Sequence, residues 1–290
     1  MTKFYLAALL LSLSITLKAQ KSPDIQNTPL TAPNNLRIDG KANEWGDSFA
    51  ADNKRTSLLY SLANDDKCLY LVIKAVGTAN INKIMAGGIT FNVNTEGKKK
   101  EKEALGITYP LVKRAPRGQG GRQGMGQGGG GQARGGFGGG AGQGRTPLSA
   151  AQRDSASLVQ HKTQLASVKE IKISGFKSIP DSLVSIYNEY GLKAVASFDN
   201  TGAMIYELAV PLNLLELSID KPKEFAYQLK VNGLVINGFG GGGERVGFGG
   251  GGGGGFGGRG GGGNFGGGNN SMQDIMSPTD FWGKYTLIKK

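Results

Sequence analysis

Short runs of alternating or continuous apolar residues dominate the chain, and their lengths fit strands better than helices. "TSLLYSLA" (56–63) and "CLYLVIKAV" (68–76) flank "NDDK", whose Asn and Asp side chains suit a tight turn, so the pair predicts a hairpin. The second run is apolar at both odd and even positions, which predicts a strand covered on both faces. "GITFNVN" (88–94), the turn "TEGKKKEKE" and "ALGITYP" (104–110) predict a second hairpin, with the lysines read as a solvated tip rather than a binding patch. Further strands are expected in "VKEIKISGF", "GLKAVASFD", "AMIYELAVPL", "EFAYQLKVNGLVI" and the closing "WGKYTLIKK", with "DNTG" (199–202) as a hairpin turn. Helical patterning is confined to "TPLSAAQRDSASLVQHKTQLAS", where Ala151, Leu158 and Leu165 recur at heptad spacing, and to "PDSLVSIYNEYG", which predicts a short helix stopped by Gly191. Many strands and little helix predict a mainly β chain built as an antiparallel β-sandwich, with one or two short helices.

The pattern is interrupted twice by glycine, over 118–144 and 238–270. Ordering 33 glycine-rich residues costs roughly 1–2 kcal/mol each, and few apolar side chains are present to offset it. The tracts are therefore expected to be long disordered, low-complexity loops inserted in one domain of residues 36–290, at about 115–147 and 238–270. If strands simply alternate in direction, the strands preceding the two insertions run the same way, and both loops emerge from one end.

At the other extreme, "MTKFYLAALLLSLSITLKA" carries Lys3 and then an apolar run from Phe4 to Leu17, too short to span a bilayer. It predicts a signal peptide over residues 1–19, then a polar lead-in over 20–35. The expected location is exported, in the periplasm, on the outer cell surface or secreted, and a cut distant from any cysteine predicts no lipid or transmembrane anchor. Export argues against a specific nucleic-acid partner for the Gly-Arg-Phe tract.

Charge adds a second theme. The formal net charge is +12, and it is uneven: no acid lies between Glu103 and Asp154, while Lys113, Arg114, Arg117, Arg122, Arg134, Arg145 and Arg153 fall there. Arg117, Arg122, Arg134 and Arg145 are candidates for contacts with a polyanionic surface. Cys68 is the single cysteine, which excludes an internal disulfide and any multi-cysteine metal site; its apolar surroundings predict a buried small hydrophobe. His161 is the single histidine and falls on the helix of the first insertion, a poor place for a Ser-His-Asp triad or a His-based metal site. "GAGQGRT" (140–146) has Arg145 where a phosphate loop needs Lys and no apolar strand before it. No pair of carboxylates is singled out for hydrolysis, so no catalytic residue is assigned.

Four segments in order carry a resemblance: "LRIDGKANEW", "YSLANDDKCLYLVIKA", "YELAVPLNLL" and "DFWGKYTLIK". Together they resemble the motif order of family 9 carbohydrate-binding modules and the related DOMON-type sandwiches. The similarity covers most of 36–110 and 168–290 and excludes both tracts. It implies a non-catalytic binding protein whose partner is a carbohydrate; Trp45 and Trp282 are the candidate aromatic platforms, each also explicable by packing. Asp39-Gly40 fits a turn, Trp45 a cap on the core and Pro211 a strand end. Some relatives bind calcium, for which Asp39, Glu44, Asp47, Asp65 and Asp66 are candidates, or haem, for which Met85 and Met204 are the remaining axial ligands besides His161. No cofactor is expected otherwise. A structural or matrix-contacting protein acting through its basic loops is the competing class.

Overall fold

The computed structural model describes residues 22–46, 48–112, 149–234 and 269–289. The chain is mainly β, with two six-stranded sheets and few helices. In order along the chain, the strands are β1 (Leu30–Thr31), β2 (Ala51–Asn53), β3 (Leu58–Asn64), β4 (Cys68–Ala75), β5 (Ile89–Asn94), β6 (Leu105–Tyr109), β7 (Glu170–Ser174), β8 (Leu183–Ser185), β9 (Lys193–Phe198), β10 (Met204–Pro211), β11 (Phe225–Val231) and β12 (Thr279–Tyr285). One sheet runs β1-β3-β4-β10-β9 with β2 also on β3; the other runs β12-β11-β5-β6-β7-β8. All pairings are antiparallel except β1 with β3, whose two-residue parallel register corrects the expectation of a wholly antiparallel arrangement.

All three expected hairpins form, and in two of them an Asp side chain closes the turn locally. Asp65 Oδ1 accepts the N–H groups of Lys67 and Cys68, and Asp199 Oδ1 accepts those of Thr201 and Ala203. Pro211 ends β10, and β4 is covered on both faces as its continuous apolarity predicts. Leu69, Leu71 and Ile73 enter the main core, while Val72 faces the other way onto a small cluster with Ala42 and Ile205.

The two sheets share that main core. Leu58, Tyr60, Leu62, Tyr206 and Leu208 from the first meet Phe91, Val93, Ile107, Tyr227 and Leu229 from the second. The Tyr60 and Tyr227 hydroxyls lie 2.8 Å apart, and Tyr60 also accepts the Gln26 N–H. Gln26 is buried and uses its side chain as an additional strand: its Oε1 accepts the Leu62 N–H and its Nε2 donates to the Leu62 carbonyl, each at 2.8 Å or less. Residues 22–32 thereby strap the edge of β3.

Tyr206 has no such partner. Its hydroxyl is fully buried and unpaired among the described residues, and burial drives its pKa up. An unpaired buried hydroxyl carries its desolvation cost without return, so Tyr206→Phe is expected to leave stability unchanged or raise it by about 1 kcal/mol. Tyr60→Phe, which strips a partner from Tyr227 and from the Gln26 N–H, should lower it by about 1–2 kcal/mol. Urea unfolding of the two variants checks the contrast; equal losses would mean that the Tyr206 hydroxyl is hydrogen-bonded in solution.

The described residues also include three α-helices: α1 (Thr78–Gly87), α2 (Ala150–Ser167) and α3 (Asn269–Met276). α2 is the expected insertion helix, opened by a capping box in which Ser149 and Gln152 exchange side-chain-to-backbone bonds. It lies largely exposed, touching β9 through His161 stacked on Phe198. The short helix expected in 180–191, stopped by Gly191, does not form; Val184 instead pairs with Ile171 and the segment becomes β8 followed by turns. α1 and α3 are additional.

β6 and β11 are both antiparallel to β5, and Tyr109 and Val231 both stand opposite Ile89. They run the same way, as expected, although four strands intervene rather than three. The described chain therefore breaks off after Val112 and after Leu234 close to one end of β5. The first glycine tract, residues 238–268 of the second and residues 1–21 lie outside the described residues, while Asn269 and Asn270, expected in the disordered loop, open α3. No described helix is long and apolar enough to cross a membrane.

Candidate functional site

On the outward face of the second sheet, side chains pointing away from the core form rows across strands. One row runs Trp282–Gln228–Asn92–Gly106–Ser174, fixed by the registers of β12, β11, β5, β6 and β7. At the usual strand separation it spans about 19 Å. The adjacent row runs Asp280–Lys230–Thr90–Thr108–Lys172. A core-facing register would have filled these positions with aliphatics; here they carry amides, hydroxyls and charges.

Most of these groups are tied to one another. Gln228 Nε2 donates to Asp280 Oδ2 at 2.7 Å, and Asn92 Nδ2 donates to Gln228 Oε1 at 2.7 Å. The Thr90 and Thr108 hydroxyls lie 2.8 Å apart, and Asn232 Nδ2 donates to Thr90 Oγ1. Gln228 and Asn92 are buried, so the network is held rigidly.

Gly106 sits at the centre of the row, where its neighbours leave no space for a side chain. A Cβ placed there would lie 2.6 Å from Ser174 Oγ and 2.7 Å from Asn92 Oδ1, so both oxygens lean over the position where a side chain is missing. Among the described residues neither oxygen receives a hydrogen bond. The 3-10 turn Glu101–Glu103 at the tip of the β5–β6 hairpin folds back over this face, with Glu101 accepting from Lys230 Nζ at 2.7 Å. The lysine-rich tip is thus one wall of a groove of ≈1190 Å³, whose floor and opposite wall include Thr90, Asn92, Thr108, Lys172 and Ser174. The tip lysines are exposed, as expected of a solvated tip, while lining this groove.

The two tryptophans are not brought together. Trp282 is half-buried on β12, at the end of the row beside Gln228, and among the described residues its indole N–H has no acceptor. Trp45 lies on the outward face of the other sheet, where its indole N–H donates to Glu207 Oε1 at 3.2 Å. Glu207 Oε2 accepts the backbone N–H groups of Asp39 and Gly40 at 2.9 and 2.6 Å. Burial pushes the Glu207 carboxyl up, against the pull of these three donors. With Phe49, Trp45 packs against Ala42, Val72 and Ile205, so it closes this small outer cluster rather than capping the main core.

A second groove, ≈950 Å³, lies beyond that cluster on the first sheet and is lined by Arg37, Asp39, Lys67, Cys68, Tyr70 and Lys193 among others. Cys68 is half-buried there rather than enclosed, and burial raises its pKa, which keeps it a thiol. Burial acts to raise Asp65 as well, but the Lys67 and Cys68 amides and the Tyr70 hydroxyl outweigh it and hold the carboxyl below the usual range.

Among the described residues the acids considered for calcium do not gather into one site. Asp65 is saturated by N–H and O–H donors, Asp39 accepts from Lys41, and among the described residues no three acidic, His or Cys side chains converge. Glu44 retains one buried oxygen without a partner, Asp66 lines the ≈950 Å³ groove, and Asp47 lies outside the described residues. Of the axial residues considered for haem, Met85 and Met204 are packed in the main core, and His161 stacks on Phe198 from α2. Arg117, Arg122, Arg134 and Arg145 lie outside the described residues.

Sequence reasoning reached Trp282 but not Asn92, Gln228, Asp280 or Gly106. One signal was present, since a lone glycine inside a strand pattern marks a close approach, and Gly106 is such a glycine. No protein-family model, no curated protein and no solved structure matches this chain.

Proposed function

We propose that the chain is an exported, non-catalytic binding protein whose two sheets form a β-sandwich of the carbohydrate-binding-module type, and that glycan lies along the outward face of the second sheet. The observation that carries this reading is the row from Trp282 to Ser174, with two open oxygens over Gly106 at its centre. A sugar ring presents an apolar face and a rim of hydroxyls, which match an aromatic platform beside fixed amide and hydroxyl groups. The Trp45 indole, by contrast, is committed to Glu207.

Purified mature protein on a glycan array, followed by calorimetry on the best ligand, tests the proposal. Trp282→Ala is expected to weaken binding by about tenfold, equivalent to about 1.4 kcal/mol, with little change in melting temperature. Trp45→Ala should instead lower the melting temperature and leave the affinity of the folded fraction unchanged. An array with no retained glycan, or binding indifferent to Trp282→Ala, would count against the assignment.

A further inference from the structure

The amides of the outward face have only one consistent orientation. Ionised Asp280 is an acceptor and nothing else, so Gln228 must turn its Nε2 toward it, at 2.7 Å. Gln228 then offers Oε1 to Asn92, which must answer with Nδ2, also at 2.7 Å. The consequence is that Asn92 shows Oδ1, an obligate acceptor, to the space over Gly106. A ligand atom that meets Asn92 Oδ1 has to donate. A hydroxyl can; a carboxylate is repelled, lone pair against lone pair.

Charge around the groove points to where a carboxylate is received. The two acids that line the groove are already matched, Glu101 by Lys230 at 2.7 Å and Glu103 by Lys100 at 2.9 Å. Lys102 and Lys172 line the same groove and have no carboxylate partner among the described residues, so the unmatched charge of its lining is positive. Lys172 lies on β7 two residues before Ser174, on the same face and about 7 Å along the strand. An acceptor-only point at Asn92 Oδ1 and a cation further along the same groove are complementary to a ring bearing both a hydroxyl and a carboxylate.

We infer that this groove selects acidic glycans, taking a uronate-type ring whose hydroxyl donates to Asn92 Oδ1 while its carboxylate meets Lys172. The inference rests on the glycan-binding reading and narrows it. The missing side chain at Gly106 lets Asn92 and Ser174 close over β6 and face the groove, and the Asp280–Gln228–Asn92 relay sets which ligand group Asn92 Oδ1 can take.

Polygalacturonate and its methyl ester share one backbone and differ in charge, so they separate the two levels. The full mature chain is expected to bind the acid form about tenfold more tightly than the ester at low salt, with the preference shrinking as salt is added. Lys172→Gln should abolish the preference and leave ester binding unchanged. Gly106→Ala should weaken both, and if its melting temperature falls, Ser174→Trp at the exposed lip of the groove is the blocking variant that spares the core. Equal affinity for acid and ester, with both lost on blocking, would overturn the acidic selectivity and leave the glycan reading standing. Retention of no glycan of any kind would overturn both. Acid-form binding that survives blocking but disappears when Arg117, Arg122, Arg134 and Arg145 are changed to Gln would assign the attraction to the basic insertion and overturn the inference.

Discussion

Glu207→Ala is expected to lower the stability of the fold by about 3 kcal/mol, a loss that urea unfolding would register as a lower midpoint at unchanged slope. The carboxylate is fully buried and is the meeting point of three donors: the Asp39 and Gly40 amides and the Trp45 indole. Truncation leaves all three facing a cavity with no acceptor. Ser197 Oγ donates to the Gly40 carbonyl at 2.6 Å, so the turn is also held from β9 and cannot swing out to water without breaking that bond. Glu207→Gln should cost less but not nothing, because its amide nitrogen must confront at least one of the three N–H groups. The pH dependence has a definite sign. Burial raises the Glu207 pKa in the fold, so its contribution to stability is fully present below the ordinary carboxylate range and is lost as pH rises through the folded value. Glu207→Gln removes that part of the pH profile. A loss below 1 kcal/mol for Glu207→Ala would mean that water reaches the donors.

The position of Glu207 explains what could be read in advance. "IDGKANEW" and "YELAVP" look like separate motifs along the chain, yet Glu207 joins them through Asp39, Gly40 and Trp45. Motifs that hold a fold together are legible because one residue type satisfies several local demands at once. The turns at Asn64–Lys67 and 199–202 were legible for the same reason, since an Asp side chain closes each on its own backbone. α1 was not: "TANINKIMAG" is poor in strong helix formers and begins after Gly77 without a side-chain cap, so its helicity follows from burying Ile81, Ile84 and Met85 against the sheets. β8 misled in the opposite direction, because pairing with β7 outweighs the local preference of "SLVSIY". The outward face of the second sheet was the least legible part. Asp280, Gln228 and Asn92 come from strands far apart in sequence, and each alone is an ordinary polar position in an alternating strand.

Gly283→Ala should be at least as damaging as the loss of Glu207, by about 3 kcal/mol, or a fall of roughly 10 °C in melting temperature for a domain of this size. Gly283 faces inward between Phe281 and Tyr285 on β12, opposite Tyr227 on β11. A Cβ there would lie 2.3 Å from Tyr227 Cζ and 2.4 Å from its hydroxyl oxygen, inside any tolerable contact. The ring has nowhere to go. Its hydroxyl is held 2.8 Å from that of Tyr60, and the Phe91 and Phe281 rings stand 6.4 Å from it, in a core where Tyr60, Phe91 and Tyr227 are fully buried. The glycine in "DFWGKY" is therefore required by the aromatic core and not by backbone conformation. That distinction can be measured by a double-mutant cycle. In a Tyr227→Leu background the clashing ring atoms are gone, so adding Gly283→Ala should cost well under 1 kcal/mol, giving a coupling of about 2 kcal/mol. Additive losses in the cycle would refute the steric account and point instead to strain in β12 itself.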